Sequence, residues 1–141
     1  MNEGTPKKIS HIGIAVRSLK EAVPLYRDVF GLEYEGEEVV DSEQVRVAFF
    51  KIGESRIELL EPLSENSAIC KYLQKKGEGI HHIALEVSDL KQRLSELKEK
   101  GIRLIYEQPK PGAHQMNISF LHPKVTGGVL YELCEPRERE E

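Results

Sequence analysis

Tryptophan is absent from the chain and cysteine nearly so: Cys70 and Cys134 stand in unrelated contexts, without Cys-x-x-Cys or Cys/His zinc-ribbon spacing. This excludes a disulfide-stapled scaffold and a thiolate-bound structural zinc, and both thiols are expected to be reduced and structural. No apolar run approaches the roughly 20 residues that cross a bilayer. The opening Met1-Asn-Glu-Gly-Thr-Pro-Lys-Lys holds no hydrophobic signal segment. A cytoplasmic protein with no membrane association is the expectation. Positive charge is not in excess either. Lys and Arg number 20 against 24 Asp and Glu, a net charge of −4, with no basic stripe to serve as a nucleic-acid footprint. A glycine-rich phosphate loop of either common pattern is also missing, and no organic cofactor is expected. What remains is 39% hydrophobic and 31% charged residues, both signs interspersed, over 141 residues. That is a well-solvated globular chain, long enough for one compact core or for two half-size modules packed together.

The chain repeats itself. Ile9-Ser-His11-Ile-Gly-Ile-Ala-Val16 returns 71 positions later as Ile80-His-His82-Ile-Ala-Leu-Glu-Val87, and Glu58-Leu-Leu-Glu-Pro62 returns 74 positions later as Glu132-Leu-Cys-Glu-Pro136. In the first copy a strand over about 9–16 precedes a helix opened by the capping pattern Ser18-Leu-Lys-Glu21 and stopped by Gly31. The apolar face of that helix reads Leu19, Ala22, Val23, Tyr26, Val29 and Phe30. Pro24 is costly inside a helix, so the regular helix is expected to start near Glu21 with Pro24 in its first turn. Strands follow at about 33–40, 45–52 and 55–62, the last two joined at Gly53-Glu-Ser. The second copy has a strand at about 80–87, a helix carrying Leu90, Leu94 and Leu97, and strands near 102–106, 117–121 and 128–135. Because Val47-Ala-Phe49 and Ile118-Ser-Phe120 keep the 71-residue offset, three extra residues fall around His122 to Gly128. The expected architecture is α+β: a single domain over 1–141, made of module 1 (about 8–63), a linker helix (about 64–78) and module 2 (about 79–136). Each module is βαβββ, and the pair forms a curved sheet around a metal-binding cavity. The tail from Arg137 to Glu141 reads as a frayed, solvated end.

Side chains alternate along a strand, so His11 shares a face with Gly13 and Ala15 while Ile12, Ile14 and Val16 face a helix. In the second copy His82 goes with Ala84 and Glu86, and His81 points to the helix layer. Glu58 stands opposite Ile57 and Leu59, and Glu132 opposite Tyr131 and Leu133, so each carboxylate leaves the packed face. A lone histidine or glutamate in such a place is ordinarily structural or solvated. Recurrence of all four in register favours a metal site at His11, Glu58, His82 and Glu132. Two imidazoles and two carboxylates suit one divalent ion, Co(II), Ni(II), Mn(II), Fe(II) or Zn(II), with positions left for substrate.

These stretches resemble the vicinal oxygen chelate superfamily, which includes glyoxalase I and the extradiol dioxygenases. Within it the closer likeness is to the methylmalonyl-CoA epimerases. The opening strand is common across the superfamily. Ile57-Glu-Leu-Leu-Glu-Pro-Leu63, Leu73-Gln-Lys-Lys-Gly-Glu-Gly-Ile-His-His-Ile-Ala84, Phe120-Leu-His-Pro-Lys124 and Gly127-Gly-Val-Leu-Tyr-Glu-Leu133 are more specific to the epimerases. The resemblance implies His11, His82 and Glu132 as metal ligands, with Glu58 where relatives carry glutamine or glutamate. It implies epimerisation of (R)- and (S)-methylmalonyl-CoA at C2 through a metal-stabilised enolate, and the matching places of Glu58 and Glu132 in the two repeats make them the expected catalytic carboxylates. Co(II) is the first choice of ion, with Mn(II), Ni(II) or Zn(II) as alternatives, and a homodimer is the implied assembly. Where some epimerases place a further glutamate base, this chain has Val47; Glu43 and Gln44 read as a strand end. His114 and His122 read as turn residues. Lys71, Lys75, Lys76 and Lys124 are candidate phosphate contacts. The rival functions are a glyoxalase I-type lactoylglutathione lyase and a non-catalytic small-molecule binding protein of the same fold.

Overall fold

The computed structural model describes residues 4–137, which form two compact units, one of residues 11–81 and one of residues 4–10 with 82–137. In the first half, strand β1 (Lys8–Ala15) leads into helix α1 (Leu19–Pro24), followed by β2 (Glu33–Val40), β3 (Val45–Ile52), β4 (Ser55–Pro62) and helix α2 (Ala68–Lys76). The strand order is β2-β3-β4-β1. β1 runs parallel to β4, and the other two pairs are antiparallel. In the second half, β5 (Gly79–Glu86) is followed by helix α3 (Leu90–Glu99), β6 (Lys110–Pro111), β7 (Met116–Leu121) and β8 (Tyr131–Pro136), in the order β5-β8-β7-β6. Again the histidine strand β5 is parallel to the last strand, and the remaining pairs are antiparallel. Among the described residues no helix is long and apolar enough to cross a membrane.

Amphipathic alternation explains the packing. Around α1, Leu19 and Val23 pack with Val16, Ala48, Phe50 and Leu59, and Tyr26, Tyr34 and Ile57 close the edges. Around α3, Leu90 and Leu94 pack with Val87 and Leu133, flanked by Leu85, Leu97 and Leu121. The opposite face of β5, β7 and β8 carries a separate cluster of Ala84, Met116, Ile118 and Cys134. Both cysteines are free thiols.

The starts of α1 and α3 are each fixed by the last strand of the same half. The Leu19 amide donates to Glu61 Oε1 at 3.0 Å, and the Asp89 and Leu90 amides donate to Glu135 at 2.6 and 3.2 Å. A carboxylate there satisfies helix amides that lack a partner within the helix and meets the positive end of the helix dipole. Ser18 and Asp89 add the side-chain caps, accepting from the amides of Glu21 and Gln92.

Three elements depart from the sequence expectation. α1 begins at Leu19, so Pro24 lies at its end rather than in its first turn. Lacking an N–H for the Lys20 carbonyl, Pro24 passes the chain into a wide π turn over Leu25–Val29, closed by Phe30 N–H to Leu25 O at 2.9 Å. The wider turn leaves Val29 and Phe30 exposed instead of on the core face. The strand expected over 102–106 is reduced to a single bridge, Leu104 with Leu121, while a short unforeseen strand, β6, lies farther on. β8 starts only at Tyr131, because Gly127 and Gly128 adopt positive φ (72° and 95°) in the preceding turn.

Candidate metal centre

On β1 and β4, His11 and Glu58 are both nearly solvent-free, and His11 Nδ1 lies 3.3 Å from Glu58 Oε2. The parallel register sets Gly13 beside Glu58 and His11 beside Arg56. With no side chain at Gly13, the carboxylate reaches along the sheet toward the imidazole. The second half repeats the device. His82 and Glu132 are buried, His82 Nε2 lies 3.4 Å from Glu132 Oε1, and small Ala84 is the neighbour of Glu132 in the register. The His82 ring stands edge-on to Phe120, centroids 5.6 Å apart at 89°. Thus each half brings its histidine together with its glutamate.

His81 faces α2, where its ring meets Tyr72 edge-on at 5.2 Å. Burial, and then the Lys76 ammonium, push this imidazole down to about 4, so it stays neutral at ordinary pH. His122 is a turn residue, its Nδ1 accepting from the Lys124 amide at 3.2 Å. His114 occupies left-handed backbone (φ 58°) in the turn before β7. Gln44 is likewise a left-handed turn residue whose side chain donates to the Asp41 carbonyl, and Glu43 lies in the same turn. Val47 is buried in β3. Lys71, Lys75 and Lys76 line an open cleft of about 480 Å³ on α2 together with His81, and Lys124 lies in the turn after β7.

Sequence reasoning missed Arg56. Its Nε donates to Glu58 Oε2 at 3.3 Å, the same oxygen that faces His11. The signal was its place two residues before Glu58, hence on the same face of β4. The second glutamates of the two repeated motifs, Glu61 and Glu135, were missed as helix caps. They lie three residues after Glu58 and Glu132, an odd step that turns them to the opposite face.

The donor set fits a divalent ion. His11, His82 and Glu132 each offer a buried ligand atom of a metal-binding kind. The imidazole–carboxylate separations within the halves, 3.3 and 3.4 Å, exceed the about 2.7–2.9 Å of a charge-assisted hydrogen bond. The 3.4 Å between His82 and Glu132 suits neighbouring ligands on one ion with bonds of about 2.1 Å, while Glu58 lies outside the group of candidate ligand atoms that holds the other three. Nitrogen and oxygen donors without thiolate suit borderline ions such as Co(II), Zn(II), Ni(II) or Mn(II).

Residues 10–120 match the Glyoxalase/Bleomycin resistance protein/Dioxygenase superfamily. The ethylmalonyl-CoA/methylmalonyl-CoA epimerase of Cereibacter sphaeroides is 40% identical over 89% of this chain and 96% of its own length. The crystal structure of methylmalonyl-CoA epimerase from Mycobacterium tuberculosis superposes with a TM-score of 0.93 at 38% identity, covering 98% of this chain and 93% of that one. A methylmalonyl-CoA epimerase solved with methylmalonyl-CoA and ammonium superposes at 0.91 with 40% identity, over 97% and 99% of the two chains.

Proposed function

The chain belongs to the methylmalonyl-CoA epimerases of the glyoxalase/bleomycin resistance protein/dioxygenase superfamily, and from that membership we propose that it interconverts (R)- and (S)-methylmalonyl-CoA at C2. The observation that carries the reading is the buried histidine–glutamate pair repeated in each half, His11 with Glu58 and His82 with Glu132. In this reading the four side chains hold one divalent ion, Co(II) first, and the enzyme is an isomerase of the racemase and epimerase class. The proposal extends to a homodimer in the cytoplasm. Light scattering of the purified protein tests the first part, and cell fractionation the second. Neither the glyoxalase nor the non-catalytic alternative is favoured by the relatives.

The chemistry follows from charge. The C2 proton sits between a thioester and a carboxylate, and its removal leaves negative charge on their oxygens. A bound divalent ion supplies Lewis acidity to those oxygens. The protein's own part is to move the proton. Inversion needs a group to take it from one face and a group to return it on the other, and Glu58 and Glu132 are proposed as that pair. Their burial, at 2% and 4% exposure, removes the water that would weaken their hold on a proton in flight. His11 and His82 fix the ion end of the site and take no proton.

The test is solvent deuterium incorporation at C2 of methylmalonyl-CoA, with metal-stripped protein and with Co(II), Mn(II), Ni(II) or Zn(II) restored in turn, beside a stereospecific coupled assay. Metal-dependent exchange with inversion is the expected result. No exchange with any of the four ions would overturn the reading.

A further inference from the structure

We infer that Arg56 is a positioning residue that makes Glu58 the weaker, more readily displaced of the two carboxylate ligands, leaving Glu132 as the firm one. The inference rests on the metal reading above and concerns how this chain distributes the work within it. Glu58 Oε2 is shared: Arg56 Nε donates to it at 3.3 Å, and it is the oxygen 3.3 Å from His11 Nδ1. A carboxylate oxygen that already accepts from a guanidinium has less charge to give a cation. Arg56 is itself only 11% exposed at the side chain, and its Nη2 is buried with no hydrogen-bond partner among the described residues. Burying a guanidinium nitrogen unpaired is unfavourable. A side chain kept only to tie the sheet together does not need that charge there. The matching place in the second half, two residues before Glu132, holds Leu130 rather than an arginine.

The two roles an arginine can take here differ in sign. If Arg56 only oriented Glu58, removing it would cost metal affinity, about 10–100-fold for a lost outer partner. If it withdraws charge from the site, removing it strengthens metal binding, because the repulsion between a guanidinium and a divalent ion outlasts the loss of one contact. A site that must admit the substrate's oxygens benefits from one ligand that gives way.

The experiment titrates metal-free parent protein and the Arg56→Met, Arg56→Gln and Arg56→Lys variants with Co(II) against a competing chelator, following the visible absorption of the bound ion. Arg56→Met is expected to bind Co(II) at least about tenfold more tightly with an altered band, and Arg56→Lys, which keeps the charge, to stay within about threefold of the parent. Arg56→Gln keeps a donor without the charge and is expected to follow Arg56→Met, so the inference is tested even if the methionine variant does not fold. Weaker or unchanged binding in both neutral variants would overturn it while leaving the metal reading intact. A parent that binds no Co(II) would overturn both.

Discussion

The first half of the chain joins its last two strands with two residues, Gly53 and Glu54, whereas the second takes nine between Leu121 and Tyr131. The same glutamate, followed by the same cap, stands on the last strand in both. Arg56 precedes Glu58 where Leu130 precedes Glu132, and His81 stands where the first half has Ser10. The histidine, the first glutamate and the helix-capping glutamate are thus what both copies keep. The loops and the neighbours of the glutamates are where the copies part. Duplicated features mark what each half keeps for its fold and its histidine–glutamate pair; unmatched ones mark where the two halves differ.

Neutralising each glutamate in turn is expected to separate the two halves by the largest margin. Losing a general base costs about 10²–10⁴-fold in rate. Glu132→Gln is expected to lower kcat/KM by about 10³-fold, because a ligand and a base are lost together. Glu58→Gln is expected to lower it by about 10²-fold, with Co(II) binding less affected. Steady-state kinetics and Co(II) titration on both variants check this, and equal losses in both would erase the distinction between the halves.

A smaller effect separates the two caps. Glu135 accepts from two helix amides and Glu61 from one. Glu135→Ala is expected to cost about 2 kcal/mol of stability and Glu61→Ala about 1 kcal/mol. Urea unfolding of the two variants measures the difference, and the reverse order would mean that the contacts do not set the cost.

The smallest is a pH effect confined to one half. His81 binds its proton only near pH 4 in the folded chain, against an ordinary 6.5. Between those values the unfolded chain holds a proton there that the folded chain does not, so stability is lost as pH falls from about 6.5 to about 4. Melting temperatures across that range are expected to fall less steeply in His81→Phe, whose ring can still meet Tyr72. An unchanged slope would assign the acid sensitivity elsewhere.

Much of this was legible in the sequence because it is local. Short runs rich in β-branched and aromatic residues, bounded by the Gly53 turn, describe the strands Val45–Ile52 and Ser55–Pro62 whatever lies beside them, and the 71-residue echo singles out His11 and His82. The turn at Gly127 and Gly128 postponed β8, since a positive-φ pair cannot continue a strand. α1 was misplaced because Pro24 can end a helix as well as begin one. Arg56, Glu61 and Glu135 were invisible for another reason. Their roles depend on partners across the sheet, such as the Leu19 amide 42 positions from Glu61, and no local pattern reports such a distance.

Those capping glutamates also bear on ancestry. Because the strand that carries Glu58 or Glu132 also fastens the helix of the same half, a copied stretch of this length arrives with its own closing contact. Doubling such a gene segment yields two pieces that each know how to shut, and the later divergence of Arg56 from Leu130 then costs neither of them its fold.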